Sequence, residues 1–384
     1  MTAIHMRGLK VEFLELERKT LEAYLPGLDK ALSEIPLLDL EKPGNEGIRL
    51  FREAAGPALL IPREYSGLGA NPLEAIQIHR AIASRSPSLA IAVTMHNFSI
   101  ATLVEMASSG GLEGLLLEGI AQQRLLVASG FAEGQRGRGI LEPTMQARRT
   151  AKGIVINGSK KPCSLSRSMD LLTASLKVID DSKGEDEIAV ALIPASAAGI
   201  ERKKFWGSWI LAGAESDEVI LKDVAVEDRL VYPLTDRGRM ELTQISGFLW
   251  FELLISASYL GMASALVERV LLSGKGAAVD RALLGIEVEG AMAALEGLAR
   301  SMMVNPRGDD ELARMLLVRY SVQRAIERAS VLAVELLGGM AFVSSSEVSY
   351  LFSAARALAF HPPSRTSIAP DLAEYLAGGS FQIK

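Results

Sequence analysis

The spacing of apolar residues changes twice along the chain, and the resulting order of helical, β-rich and again helical sequence constrains the fold most. From about residue 12 to residue 123, apolar side chains recur three and four positions apart. Residues 73–85 (LEAIQIHRAIASR) show this spacing most clearly and predict an amphipathic helix. Asn71 ends a Pro/Gly-rich loop before that helix, and Pro72 suits its first turn. We therefore predict an N-terminal helical domain over residues 1–125.

The sequence between about Ser129 and Pro233 has a different pattern. Short runs rich in β-branched and apolar residues alternate with polar or glycine-containing loops, which is typical of a small β domain. These runs are 154–158 (IVING), 171–179 (LLTASLKVI), 188–193 (IAVALI) and 217–226 (DEVILKDVAV). A β domain over residues 126–235 follows from this pattern.

Long apolar helices are predicted from about Leu242 onward. One segment, LWFELLISASYLGMASALVERVLLS, is followed closely by Gly274 and Gly276. A second, RMLLVRYSVQRAIERASVLAVELLGGMAF, contains Gly338 and Gly339 near its end. Both segments are apolar on more than one face, which indicates a helical bundle that also packs against other subunits. Residues 236–384 are therefore expected to form a bundle in a homodimer or homotetramer.

Charge and cysteine content exclude several classes of protein. The net charge of −5 over 384 residues argues against a nucleic-acid partner, which needs a basic surface. The single cysteine, Cys163, excludes an intrachain disulfide and a cysteine-based zinc site, and no metal is expected. The charged N-terminal residues do not resemble a secretion signal, and no uncharged apolar run reaches the roughly 20 residues of a membrane helix. We expect a cytoplasmic protein without a membrane partner.

Five segments in the same order resemble signatures of the acyl-CoA dehydrogenase family. They are PALLIPREYSGLGANPLEA, SPSLAIAVTMHNF, GIVINGSKKPCSLSRSMDLL, SDEVILKDVAVED and ELLGGMAF, and the similarity extends from about residue 58 to residue 361. The resemblance implies an N-terminal helical domain, a middle β-barrel and a C-terminal four-helix bundle. It also implies FAD and the α,β-desaturation of an acyl thioester of CoA or acyl-carrier protein. An electron-transfer flavoprotein, or a similar acceptor, would then take the electrons.

The same resemblance assigns flavin contacts to individual residues. Three residues match the family's L-T-E segment at the pyrimidine side of the flavin: Phe131, Ala132 and Glu133. Ser164 falls on the hydroxyl position that bonds flavin N5, although a loop serine can also bond nearby backbone. Three more residues match the place where a neighbouring subunit touches the adenine end of FAD: Glu335, Gly338 and Gly339. The two glycines can equally serve as a helix cap.

Glu252 is the candidate catalytic base. Most family members carry the base in a Y-E-G-T motif, but Pro362 and Pro363 occupy that region here. A minority, the isovaleryl- and long-chain acyl-CoA dehydrogenases, carry it on the first long C-terminal helix, and FELLISASYLGMA matches with Glu252 at the base position. A carboxylate in so apolar a run is costly to bury without a use or a partner. Ser256 and Tyr259 share its helix face and are expected to line the same pocket. Alternatively, the glutamate faces solvent or an arginine at a subunit interface.

Arg136 and Arg138 depart from the family pattern in the loop that precedes the β strands. They replace an acidic loop near the expected thioester entrance. They would meet phosphates of CoA or of phosphopantetheine, or else form a solvated basic loop.

Pro362 and Pro363 also depart from the family pattern. Proline has no N–H to polarise a thioester carbonyl, so Ser364 would have to supply that donor.

Residues 356–363 (RALAFHPP) support a second hypothesis. They resemble R-x-x-x-x-H-x-P in flavin monooxygenases of the same fold, where the histidine lies near the flavin. His361 would then assist oxygen chemistry with loosely held reduced FMN, and Glu252 would not be needed as a base. A third possibility is a catalytically inactive or partner-dependent subunit.

Overall fold

The structure is a computed structural model that describes residues 12–107, 112–129, 143, 145–179, 187–233, 237–304 and 308–381. Helices form the first third of the described chain: α1 (Glu15–Tyr24), α2 (Leu28–Ser33), α3 (Leu37–Leu40), α4 (Glu46–Glu53), α5 (Pro72–Arg85), α6 (Pro87–Met106) and α7 (Leu112–Gln123). Asn71 caps α5 and forms a capping box with Glu74, and Pro72 lies in the first turn as predicted.

Eight strands follow in the described residues and form one sheet. They are β1 (Val127–Ser129), β2 (Gln146–Thr150), β3 (Gly153–Cys163), β4 (Leu171–Ile179), β5 (Glu187–Pro194), β6 (Ile200–Lys203), β7 (Asp217–Glu227) and β8 (Val231–Pro233). The sheet order is β6-β7-β3-β2-β4-β5-β8, and β1 pairs in parallel with β4. Antiparallel pairing of β3 with β7 and of β4 with β5 forms its longest ladders. Each of the four runs predicted from the sequence lies in one of these strands.

Helices return after the sheet. They are α8 (Arg237–Ser273), α9 (Ala278–Val304), α10 (Asp309–Leu337), α11 (Gly339–Ser344), α12 (Ser346–Ala355) and α13 (Arg365–Leu376). The long helices α8, α9 and α10 pack on one another, and α12 packs against α8 and α10. The predicted fold class, mainly helical with a β insert, is confirmed.

Helix α8 packs against helices from both the N-terminal and the C-terminal part of the chain. It contacts α5 and α6 from the N-terminal part of the chain as well as α9, α10 and α12. Two helical segments, Pro87–Met106 and Gln244–Ser273, are long and apolar enough to cross a membrane by length and composition. Their most apolar windows are 83% and 94% buried inside the protein, so their apolar character serves the core.

Helix α5 differs from the amphipathic helix that its sequence predicts. Nearly all of its side chains are buried, including those of His79 and Arg80. Arg80 is held by Glu17, Glu289 and the hydroxyl of Ser264 on α8. Because these polar side chains find partners on other helices, the helix can be buried on every side.

Candidate active site

Three side chains of α8 project from one face into the interior between α8 and α10. Glu252, Ser256 and Tyr259 are four and three residues apart, and each is at most 1% exposed. The predicted face is therefore present and buried. The possibility that Glu252 faces solvent is wrong.

Arg319 of α10 is the partner of Glu252. Its Nε lies 3.0 Å from Glu252 Oε2, and both side chains are fully buried. The N–H is not directed at the carboxylate, because neither atom has an aligned hydrogen bond. The contact is therefore a close charge pair. Burial raises the pKa of Glu252 to about 7, while the positive charge of Arg319 opposes that rise.

Arg319 was not identified from the sequence. The apolar run around Glu252 offers no cation on its own helix face, and the partner comes from a different helix. The available signal was an arginine inside the apolar run RMLLVRYSV, since such a residue is rarely buried without a partner.

The turn after α12 is held by α10. Arg319 Nη2 donates hydrogen bonds to the carbonyls of Leu358 and His361, at 3.0 and 2.8 Å. Its Nη1 donates to the carbonyl of Pro363 at 3.4 Å, and Tyr320 Oη donates to the same carbonyl at 2.8 Å. One guanidinium therefore contacts Glu252 and fixes the backbone that carries His361.

His361 joins the same cluster through its side chain. A hydrogen bond of 2.8 Å connects His361 Nε2 with Tyr259 Oη. The imidazole ring also lies 6.0 Å from the ring of Phe251, measured between centroids. Burial and the charge of Arg319 lower the pKa of His361 to about 4, and burial raises the pKa of Tyr259. Both groups are therefore neutral at pH 7, and the pair can pass a proton without carrying charge in the resting state.

Several polar atoms near this cluster are buried without an aligned hydrogen bond. They are both carboxylate oxygens of Glu252, the hydroxyl of Ser256 and the amide oxygen of Gln323 on α10. An unsatisfied buried polar atom costs about 1–3 kcal/mol. Such a group of acceptors is therefore typical of a site that receives a hydrogen-bond donor.

The predicted flavin contacts lie elsewhere in the chain. Ser164, at the end of β3, is buried and its Oγ lies 2.9 Å from Ser216 Oγ. Glu335 and Gly339 are exposed, and Gly338 ends α10 with a positive φ of 85°. A Cβ added at either glycine would meet nothing within 4 Å, so their backbone is open to a ligand or another chain. Five predicted residues lie outside the described ones: Phe131, Ala132, Glu133, Arg136 and Arg138.

Cys163 is buried, and Arg281 contacts the backbone that follows α8. Cys163 is fully buried, and burial raises the pKa of its thiol to about 12, as expected of a small apolar residue. Arg281 Nη1 donates to backbone carbonyls after the end of α8, including those of Gly274 and Gly276.

A cavity of about 410 Å³ lies between α8, α9 and α10. Its walls are mainly apolar, with Leu249, Leu298 and Met315 among them, and Glu311 and Arg314 also contribute. None of the predicted site residues that the structure describes lines this cavity. Among the described residues there is also no cluster of His, Cys, Asp and Glu that could hold a metal ion.

Comparison with known proteins identifies the family. The chain is 45% identical over 376 residues to isobutylamine N-hydroxylase from Streptomyces viridifaciens, which covers 96% of this chain and 99% of that protein. The chain belongs to the isobutylamine N-hydroxylase family. No protein-family model matches the chain.

Solved structures share the fold at low sequence identity. Dibenzothiophene monooxygenase TdsC from Paenibacillus sp. A11-2, in a complex with FMN and indole, has a TM-score of 0.77 and 18% identity, over 97% of this chain and 99% of that one. XiaF from a Streptomyces species, in complex with FADH2 and glycerol, has a TM-score of 0.74 and 17% identity, over 96% and 97%. The fold of the N-hydroxylase family member is thus the acyl-CoA dehydrogenase-like fold of flavin-binding monooxygenases.

The prediction of an acyl-CoA dehydrogenase with Glu252 as the α-proton base is wrong. The relatives are monooxygenases. They share oxidoreductase chemistry and a flavin cofactor with the predicted dehydrogenase, but not its reaction. The turn at 361–363 gives the physical reason. Pro362 and Pro363 have no N–H to polarise a thioester carbonyl. Glu252 matched the base because the two classes of enzyme share one scaffold.

Proposed function

We propose that this protein is a flavin-dependent monooxygenase that converts a primary aliphatic amine to its N-hydroxylamine. The 45% identity to isobutylamine N-hydroxylase over 96% of the chain carries this proposal. In the balanced reaction, amine, dioxygen and reduced flavin give hydroxylamine, water and oxidised flavin. Electrons therefore enter with reduced FMN or FAD, supplied by a reductase, and an electron-transfer flavoprotein is not needed as acceptor.

The residues present fit a flavin. Ser164 and Ser216 have two hydroxyl protons between them, and the hydrogen bond that joins them uses one. The other hydroxyl proton is available to a flavin ring nitrogen, and the second lone pair of either oxygen can accept from a reduced ring. When bound, the reduced flavin supplies the activation of dioxygen for transfer of one oxygen atom.

His361 and Tyr259 are the residues proposed to manage protons beside the flavin. Because both are neutral at pH 7 and share a hydrogen bond, one can donate a proton while the other replaces it. Arg319 and Tyr320 fix the backbone of the His361 turn through the carbonyls of Leu358, His361 and Pro363, so the imidazole is held in place. The aromatic ring of Phe251 lies beside the imidazole, with 6.0 Å between the ring centroids.

The direct test is oxygen incorporation from labelled dioxygen. Purified protein is supplied with reduced FMN or, in parallel, reduced FAD, with isobutylamine and ¹⁸O₂, and the product is measured by mass spectrometry. We expect a hydroxylamine that contains one ¹⁸O atom. His361→Asn should slow product formation about 10²-fold or more, which is the usual contribution of a positioned acid or base.

Three results would contradict the proposal. Reduction of bound flavin by an acyl thioester would point back to a dehydrogenase. Labelled oxygen in a substrate without an amine would keep the monooxygenase and reject the N-hydroxylase. A folded protein that binds neither FMN nor FAD would indicate a catalytically inactive or partner-dependent subunit.

A further inference from the structure

The unpaired acceptor atoms of α8 favour a ligand that carries hydrogen-bond donors. Glu252 Oε1 and Oε2 and Ser256 Oγ are buried, lie one helical turn apart on one face, and have no aligned hydrogen bond. A ligand that places several N–H donors here would satisfy acceptor atoms that are otherwise buried without a hydrogen bond. A ligand oxygen without a hydrogen would not satisfy the carboxylate, because an ionised carboxylate can only accept hydrogen bonds.

Arg319 is paired with Glu252 by charge, but no aligned hydrogen bond joins the two side chains. The guanidinium donates hydrogen bonds to backbone carbonyls of Leu358 and His361, whose dipoles offset part of its positive charge. Its Nε–H is not directed at the carboxylate, although the two groups are 3.0 Å apart. The carboxylate oxygens are therefore near a positive charge and still unsatisfied as acceptors.

We propose that Glu252 and Ser256 bind the nitrogen of the substrate amine as an ammonium ion, and that Glu252 then takes one of its protons. This inference rests on the proposed function and names the residues that receive its substrate. An alkylammonium has three N–H donors, which match the two carboxylate oxygens and the hydroxyl of Ser256.

The proton step balances within the site. One N–H bond of the ammonium breaks, one O–H bond forms on Glu252, and the nitrogen keeps the electron pair. A free amine and a neutral carboxylic acid result, and burial favours both neutral forms over the charged pair. The free electron pair is what a nitrogen needs in order to bond to oxygen, and a bound reduced flavin would supply the activation of dioxygen.

The test is binding of isobutylamine to the flavin-free protein, measured by calorimetry at pH 8.5. Glu252→Gln keeps the shape of the side chain but removes the negative charge, and we expect at least a 10-fold loss of affinity. Ser256→Ala should lose less, about 2- to 10-fold, because one neutral hydrogen bond is removed. The matched control is Glu296→Gln on α9, which breaks only a surface pair with Arg300 and should bind as the wild type does.

Two further measurements keep the inference testable if Glu252→Gln folds poorly. Isobutanol has nearly the same shape without a charge, and it should bind much more weakly than isobutylamine. Affinity of the wild type should also fall as the pH decreases from 8.5 to 5.5, because Glu252 becomes protonated with a pKa of about 7. A wild type that binds both probes equally, with no pH dependence, would overturn the ammonium site.

The outcomes separate this inference from the proposed function. If Glu252→Gln binds isobutylamine as tightly as the wild type while the wild type still forms the labelled hydroxylamine, only the ammonium site is wrong. If no primary amine binds and no hydroxylamine forms, both proposals fail.

Discussion

At the scale of single residues, Arg319 connects the carboxylate of Glu252 to the turn that carries His361. Removing one member of a buried ion pair typically costs about 3–5 kcal/mol, because the other charge is left uncompensated. A buried glutamate that loses its partner can avoid the uncompensated charge by taking up a proton. The cost of losing Arg319 should therefore depend on pH.

We predict that Arg319→Met destabilises the protein more at pH 9 than at pH 6. In the folded wild type the pKa of Glu252 is about 7, above its ordinary value of 4.5, so its contribution to stability is greatest at low pH and is lost as the pH rises through 7. Without Arg319 that pKa rises further, and ionisation at pH 9 costs more. Denaturant unfolding at both pH values measures the difference. Adding Glu252→Gln to the variant should remove the extra pH dependence, and a cost that is equal at both pH values would contradict the prediction.

The sequence predicted some site residues and missed others for a physical reason. Glu252 stands out because a carboxylate in an apolar run needs an explanation, and Ser256 and Tyr259 follow from helical spacing alone. Arg319 and His361 meet them only through tertiary packing of α10 and the turn after α12. A family motif then suggested a function, but the scaffold it identifies supports more than one chemistry.

At the scale of elements, α5 and α8 cross closely at Gly261. A Cβ at this position would lie 2.4 Å from the carbonyl oxygen of Arg80 and 2.6 Å from Cβ of Ala83. The backbone of α5 cannot yield without moving the whole helix. Only glycine allows the two helices to approach to this distance.

We predict that Gly261→Ala lowers the free energy of unfolding by about 1–3 kcal/mol, as overpacking of a core usually does. Gly119→Ala in α7 is the matched control, because its Cβ would meet only the end of the Gln123 side chain at 4.0 Å. There the better helix propensity of alanine should stabilise the protein by up to about 1 kcal/mol. Denaturant unfolding of both variants provides the test, and a neutral Gly261→Ala would show that the helices can separate.

Local sequence signals predicted where helices and strands begin and end better than they predicted how deeply each element is buried. Asn71 and Pro72 mark the start of α5, and β4 spans the predicted residues 171–179. The burial of every side of α5 was not predicted, because Arg80 and His79 look like a solvent-facing stripe until their partners on other helices are known. Periodicity reports which residues share a face and does not report what covers it.

At the scale of the whole molecule, apolar side chains are exposed along α9 and α11. Val279 and Ile286 on α9 are 64% and 67% exposed, and Met340 and Val343 on α11 are 76% and 80% exposed. Contiguous exposed apolar surface marks sites that bind other proteins, and Val279 and Ile286 lie two turns apart on one face of α9. We propose that these helices form the contact between identical subunits.

We predict a dimer or tetramer by light scattering at micromolar concentration. Ile286→Lys should weaken assembly, because it places a charge in the proposed contact. Leu115→Lys on α7 is the matched control, since Leu115 is equally exposed and lies outside the C-terminal helical bundle of residues 236–384. A wild-type monomer would contradict the prediction, as would equal effects of the two substitutions.

The central position of α8 has a consequence for the order of events during synthesis. Helices α5 and α6 leave the ribosome first, yet the helix that covers them begins more than a hundred residues later. At about 5–20 residues per second, this interval lasts roughly 7 to 26 seconds. For that time the faces of α5 and α6 that α8 covers have no native partner, although α5 can already pack on α1 and on α6. The first third of the nascent chain therefore depends on chaperones, or on loose collapse, until α8 emerges.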